Sequence, residues 1–510
     1  MKNIELSKQI ITQCLENGVS EFCLCAGARN APLVQVLSFA KNVKIYHFFE
    51  ERSAAFFALG RTGESGKPVA VVTTSGTAVA ELLPATIEAY YSLVPLLLIT
   101  ADRPRSYRMT GAPQSIEQIG IFSHYIEGSA DLERETLNLT SWDQNFTFHL
   151  NVCFDEPVLD ETVTAWEPQF QLRKRELPKL GSLQKKTLNQ PLVILGPLKE
   201  SEFESLVPHL LRWQAPIYAE GMSQLKGDSR LQSLLLQGSD HLLKKYFEKK
   251  FFKSLLRVGA VPTTRLWRDL ETTLIDVPVY SISNAEFKGL SRRTHHFVGL
   301  HLLETFSGEW SEDFRDEVFE TDFQSRTKIL DLFQKYPQSE PAMIFELAQK
   351  IQNQNVYVGN SLPIREWDLV TGKSLQFEKI WGNRGANGID GQISSFLGGL
   401  KVDVENWGLF GDLTAMYDLV SFWIKDQLQV RNWNVVVINN KGGMIFNNIF
   451  HNETFLNRHN QSFRSIADFW KMEYQMWSSI PADVSCKNPR LIELTPSAEQ
   501  TELFWKMLTQ

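Results

Sequence analysis

WGLFGDLTAMYDL (residues 407–419) and NVVVINNKGG (434–443) decide the fold of this chain. In each, a short apolar run stops at Gly, Asp or Asn. That is the pattern of a buried strand breaking into a loop at the edge of a parallel sheet. The first run ends in Gly411-Asp412, the next in Asn439-Asn440, with 26 residues between Asp412 and Asn439. A carboxylate and an amide oxygen at adjacent strand ends, joined by a backbone carbonyl, can hold Mg²⁺. The remaining coordination positions then go to diphosphate oxygens and water. The helix that follows Gly411 directs backbone N–H groups at the same diphosphate. Two ordinary strand-end turns would show the same spacing.

Outward from there the pattern repeats. NVYVGNS (355–361) adds a strand to the last third of the chain. PLVILG (191–196), PIYAEG (216–221), LLRVGAV (255–261) and PVYSIS (278–283) form a middle set. FCLCAG (22–27), KIYHFFEER (44–52), PVAVVTTSG (68–76) and PLLLITADRP (95–104) form a first set, preceded by an amphipathic helix over MKNIELSKQIITQCLENGV. Polar segments at 167–190 and 307–340 read as linkers, the second with some helix. The fold class is therefore α/β, with three open parallel-sheet domains in series, and 510 residues suit three domains. In such sheets ligands gather at the carboxyl ends of the strands.

Composition narrows the function. Hydrophobic residues are 43% and charged residues 22%, as in an ordinary globular chain, and Lys plus Arg is 52 against 59 for Asp plus Glu. The net charge of -7 excludes a surface built for nucleic acid, while leaving room for a few arginines in one cleft. The five cysteines contain no CxxC pair, so neither a zinc site nor a disulfide framework is expected. No run of 18 apolar residues suggests stable membrane insertion, and the expected location is cytoplasmic. His295-His296 reads as a strand or loop pair rather than a metal site. KKYFEKKFFKSLL (244–256) reads as a partly buried amphipathic helix rather than a membrane-surface element, and His451 and His459 read as loop residues. Glu51 ends a strand of the first set. It reaches a cofactor held by the last set only if two domains or two subunits face each other; otherwise it is a helix-terminal acid.

GARNAP (27–32), TSGTAVA (74–80), ITADRP through GAPQSI (99–116), VGNSLPIR (358–365), NRGANGIDG (383–391), GDLTAMYDL (411–419) and NNKGGMIF (439–446) occur in this order. Together they resemble the thiamine-diphosphate enzymes of the decarboxylase group. Within it they are most similar to the branch that joins 2-oxoglutarate to isochorismate in menaquinone biosynthesis. The likeness spans most of residues 20–125 and 355–450; the middle matches loosely. It implies a pyrimidine-binding domain over 1–180, a central domain over 190–335 and a diphosphate- and Mg-binding domain over 340–510. It further implies a transferase using thiamine diphosphate and Mg²⁺ or Mn²⁺, assembled as a homodimer or homotetramer with active sites between subunits.

The resemblance also assigns residues. Glu51 is the catalytic acid that holds a proton at the aminopyrimidine N1′ of the cofactor. Ile389 props the cofactor from below, and Gly411, Asp412, Leu413, Asn440, Ile445 and Phe446 complete its site. Asp412, Asn440 and the carbonyl of Gly442 are the metal ligands. Ser361 and Arg365 hold the succinyl carboxylate, while Arg29, Arg103 and Gln114 face isochorismate with Arg384 nearby. Arg265 is a weaker further cation. Both substrates are dianions, which suits guanidinium forks. Ala28 and Asn387 stand where the family carries serines, and Thr264 replaces one of a basic pair. A plain 2-oxoacid decarboxylase and a non-catalytic homologue are the competing functions.

Overall fold

The structure is a computed structural model that describes residues 1–173, 185–238, 240–310, 312–450 and 452–509. The apolar runs become three parallel sheets. The first contains β1 (Glu21–Cys25), β2 (Lys44–Phe48), β3 (Val69–Thr73), β4 (Leu96–Asp102), β5 (Gly128–Leu132) and β6 (Phe148–Cys153), in the order β2-β1-β3-β4-β6-β5. After β7 (Lys186–Asn189), the central sheet takes in β8 (Pro191–Leu195), β9 (Ile217–Ala219), β10 (Ser254–Val258), β11 (Val279–Ser283) and β12 (His295–Val298), ordered β12-β11-β10-β8-β9. β13 (Phe306–Glu309) pairs with β7 alone. The last sheet holds β14 (Asn355–Val358), β15 (Lys379–Trp381), β16 (Asn406–Gly411), β17 (Trp433–Ile438), β18 (Glu473–Trp477) and β19 (Arg490–Leu494), ordered β15-β14-β16-β17-β19-β18. Counted from their own first strands, the first and last sheets share one order, a repeat in topology that the sequence does not display.

Strands outside the expected set have physical reasons for escaping notice. β6 is fully buried yet carries His149 and Asn151, whose polar side chains meet Thr100 Oγ1 of β4 at 2.8 and 3.1 Å. β19 buries Arg490 and Glu493, and both are satisfied internally, by Asn434 and Asn439 among others. Burial of paired polar groups breaks the apolar run without breaking the strand.

The two expected linkers are more structured than their composition suggests. Residues 174–184 of the first lie outside the described residues, but 186–189 form β7. The second contains the helix Glu312–Lys335. Its buried stripe is Val318, Asp322, Arg326, Ile329, Leu332 and Phe333. Two charged members disguise the helical period: Arg326 donates to the carbonyls of Leu369 and Val370 at 2.9 Å, and Asp322 accepts from the N–H groups of Gln237 and Gly238 at 2.9 Å. KKYFEKKFFKSLL contributes the end of the helix His241–Glu248, with Tyr246, Phe247, Phe251 and Phe252 buried in the central domain. His295 stacks on Tyr280, and His296 Nε2 meets Ser283 Oγ at 3.1 Å. Among the described residues no helix is long and apolar enough to cross a membrane.

What positions the site is a single interior shared by the first and last sheets. Phe56 and Phe57 of the helix Glu51–Ser65 pack in it with Ile393, Phe396 and Leu397 of the helix Gln392–Gly398. Gly60 lets the two backbones touch: a Cβ built there would stand 1.9 Å from the carbonyl oxygen of Ser395. Gly60→Ala forces the helices apart and is expected to destabilise the protein by about 1–3 kcal/mol, read as a fall in the midpoint of urea unfolding.

Candidate active site

The carboxyl ends of the last sheet and the loops of the central sheet enclose a cleft of about 880 Å³. Ser361, Arg365, Arg384, Ile389, Ile445 and Phe446 all line it, so six of the residues expected from the sequence are brought together. Ser361 follows β14 with φ +74°, a left-handed backbone that costs a non-glycine residue about 1–3 kcal/mol. It stands at the N-cap position of the helix Leu362–Val370, which carries Arg365, with its hydroxyl not used as a cap. Arg384 is held by Asn360 Oδ1 through its NH1, and its Nε is buried with no partner among the described residues. Asn360 in turn donates to the carbonyls of Asn383 (2.9 Å) and Gly388 (2.7 Å), fixing the loop that ends in Ile389. Glu88, from the first domain, accepts from the N–H groups of Gly385 and Ala386, both at 2.7 Å. Burial lowers the pKa of Arg384, against the neighbouring charges of Glu220 and Glu88, and burial likewise lowers that of Arg365. An entering carboxylate offsets that desolvation, so both groups favour an anionic ligand.

Behind the cleft, Asp412 opens the helix Asp412–Tyr417 and is 2% exposed. Its Oδ1 accepts from the N–H of Leu413 at 2.7 Å and its Oδ2 from the N–H of Gly442 at 2.9 Å. Burial raises its pKa, opposed chiefly by the Gly442 N–H and by His459, whose Nε2 stands 3.0 Å from Oδ2. Asn440 gives its Nδ2 to Glu340, and its Oδ1 is buried with no partner among the described residues. Gly442 has φ +141°, and a Cβ there would meet Leu456 O at 2.4 Å, so only glycine fits. An orphaned amide oxygen, a carboxylate and a glycine-only backbone form an oxygen-donor set that fits a hard divalent cation. Among the described residues no cluster of three His, Cys, Asp or Glu side chains could hold a metal, as expected where an amide and a carbonyl supply two of the donors.

Glu51 begins the helix Glu51–Ser65. That helix end is fixed on both sides: Glu50 accepts from Ser53 N at 2.8 Å, and Arg52 NH1 donates to buried Asp418 at 3.2 Å. Asp418 also accepts from the N–H of Gly391 at 2.8 Å, which ties the acid's helix to the loop after Ile389. Burial raises the Glu51 pKa, opposed by its own backbone N–H and helped by Glu50 and Glu81. Among the described residues no cation pairs with it. A carboxyl so placed is suited to sharing a proton with a ring nitrogen.

Glu51 does not line the cleft, nor do Arg29, Arg103, Gln114, Arg265, Gly411, Asp412, Leu413, Asn440 or Gly442. Arg29 NH1 donates to Phe154 O at 3.0 Å and pairs with Glu156 at 3.2 Å; Arg103 Nε donates to Pro113 O at 3.0 Å. The loop bearing Gln114 is pinned by buried Gln118, which accepts from Gly76 N and donates to Ala101 O. These residues gather at the carboxyl edge of the first sheet, a second half-site. The Arg265 side chain is 62% exposed and points along its own helix towards Asp269. His459 is a loop residue as expected, and its loop brings it against Asp412, while His451 lies outside the described residues.

Two contributors were not singled out from the sequence. Lys288 lines the cleft and supplies a central-domain cation that Arg265 does not. Its loop is clamped by buried Arg257, which donates to the carbonyls of Phe287 (2.9 Å) and Lys288 (3.2 Å). Asn360 was visible only as the residue between Gly359 and Ser361 in a strand-end turn.

A model of the thiamine pyrophosphate enzyme N-terminal TPP-binding domain matches residues 4–121. Proteins named 2-succinyl-5-enolpyruvyl-6-hydroxy-3-cyclohexene-1-carboxylate synthase are similar over nearly the whole length. The one from Bdellovibrio bacteriovorus is 44% identical, covering 99% of this chain and 98% of its own. That from Akkermansia muciniphila is 37% identical over 97% and 96%, and that from Geobacillus thermodenitrificans 30% identical over 85% and 80%.

Proposed function

Since the chain belongs to the 2-succinyl-5-enolpyruvyl-6-hydroxy-3-cyclohexene-1-carboxylate synthase family of thiamine-diphosphate enzymes, we propose that it decarboxylates 2-oxoglutarate and adds the succinyl unit to isochorismate in a 1,4 sense, as a transferase of menaquinone biosynthesis. One observation carries this reading: Arg365, Arg384 and Lys288 share a cleft with the apolar wall of Ile389, Ile445 and Phe446. That combination suits dianionic substrates reacting beside an apolar surface.

When bound, thiamine diphosphate supplies the electron sink for decarboxylation and the nucleophilic carbon for bond formation. The protein's part is positional and electrostatic. Asp412, Asn440 and the Gly442 carbonyl hold Mg²⁺ or Mn²⁺ against the diphosphate, with Gly411 and Leu413 alongside. Ile389, Ile445 and Phe446 would give the bound cofactor an apolar wall. Glu51 holds a proton at the pyrimidine N1′. Ser361 and Arg365 bind the succinyl carboxylate; Arg29, Arg103 and Gln114 bind isochorismate with Arg384. On the family resemblance, a homodimer in which Glu51 of one subunit completes the diphosphate site of the other is the assembly we assign. The cytoplasm is the location that fits five free cysteines, four of them buried.

The reading is tested by product analysis with 2-oxoglutarate, thiamine diphosphate and Mg²⁺, with and without isochorismate. Rapid CO₂ release with a product containing both carbon skeletons is expected only when isochorismate is present. Equal succinic semialdehyde in both reactions would identify a simple decarboxylase instead, and no turnover in either a non-catalytic homologue.

A further inference from the structure

Glu340 and Glu366 are buried carboxyls in contact with each other inside the last domain, 1% and 0% exposed, with no place in the chemistry above. Glu340 is the first residue of the helix Glu340–Lys350, which is capped by Ser339 and fixed by a hydrogen bond from its own N–H to Thr501 Oγ1 at 3.0 Å. Its side chain turns inward to Asn440. The Asn440 Nδ2 lies 3.1 Å from Glu340 Oε1 and 3.0 Å from Oε2, while Asn440 Oδ1 is buried and unpartnered among the described residues.

An amide has a donor end and an acceptor end, and only the acceptor end can ligate a cation. A carboxylate beside it accepts from the NH₂ and repels the oxygen. We propose that Glu340 is a positioning residue for the metal site, gripping the Asn440 amide by its nitrogen and so turning the free oxygen towards the cation. This rests on the metal-site reading above. Partners just behind metal ligands characteristically set affinity in this way. A fixed amide also spares the site the cost of ordering it when the cation arrives.

The test is a Mn²⁺ titration followed by electron paramagnetic resonance, in the presence of thiamine diphosphate, on wild type, Glu340→Gln and Glu366→Gln, with the thermal midpoint of each metal-free protein. The glutamine at 340 is isosteric, but its own NH₂ opposes that of Asn440. Mn²⁺ affinity is expected to fall about 10–100-fold in Glu340→Gln, with the metal-free midpoint little changed. Glu366→Gln leaves the carboxylate on Asn440 in place and is expected to keep wild-type affinity. If Glu340→Gln does not fold, Glu340→Asp, whose shorter side chain draws back from Asn440, is expected to show the same loss. Wild-type affinity in the folded 340 variant overturns the proposal, as does equal weakening by both glutamine variants, which marks a merely structural role. A wild-type protein that takes up no Mn²⁺ overturns the metal-site reading itself, and the inference with it.

Discussion

A Glu51→Gln protein folds, assembles and binds thiamine diphosphate like wild type, yet turns over about 10²–10⁴-fold more slowly, the usual span for loss of an acid–base group. The substitution keeps shape and size and removes only the capacity to share a proton with the pyrimidine. Folding is spared because Glu51 pairs with no cation among the described residues; the anchors of its helix are Glu50, Arg52 and Asp418. The check is kcat at saturating cofactor beside the thermal midpoint, and an undiminished kcat would remove Glu51 from the mechanism. The same variant reports on assembly. Mixed with Asp412→Ala chains and allowed to exchange subunits, it should recover about a quarter of wild-type activity, since half the two-fold dimers are mixed and each contains one intact site. If both residues serve one site within one chain, mixing restores nothing.

Asp412→Ala is expected to abolish turnover by a different route, weakening thiamine diphosphate binding at fixed Mg²⁺ at least about a hundredfold, since even partners behind a metal ligand cost 10–100-fold. The loss is compound. The carboxylate leaves the cation, and the N–H groups of Leu413 and Gly442 lose their acceptor. A buried N–H without a partner costs about 1–3 kcal/mol, so this variant is also less stable than Glu51→Gln. Asp412→Asn keeps one oxygen acceptor for two N–H groups and separates the effects: its stability recovers in part while cofactor binding stays weak. Calorimetric titration of thiamine diphosphate with and without Mg²⁺ reads this directly, and wild-type affinity in Asp412→Asn would dissociate the carboxylate from the cation.

The legible parts of the sequence were those where one physical rule acts alone. Apolar runs such as VYV and NVVVI end in Gly or Asn because the chain must leave a buried sheet, so the strands that build the cleft were visible at once, β15 excepted. Ser361 and Arg365 follow such an end, Arg384 and Ile389 were marked only by the resemblance of NRGANGIDG, and the structure places all four in one lining. Illegible parts are those where a polar residue is buried with a distant partner. Arg326 and Asp322 look like the face of a solvated linker until Leu369, Val370 and Gln237 are seen beside them. Glu340 looks like a helix-terminal acid until Asn440 is in place, 100 residues on. Lys288 owes its place to Arg257, a strand residue whose guanidinium points into a loop. Pairings of this kind depend on tertiary contact and leave no local period.

The continuous interior that joins Phe56 and Phe57 to Ile393 and Phe396 bears on how the molecule comes apart. Helices far apart in the chain, Glu51–Ser65 and Gln392–Gly398, share that interior, so neither can be exposed to solvent while the other stays intact. They form one cooperative unit of unfolding, and loosening of the central module alone would leave the first and last modules pressed together.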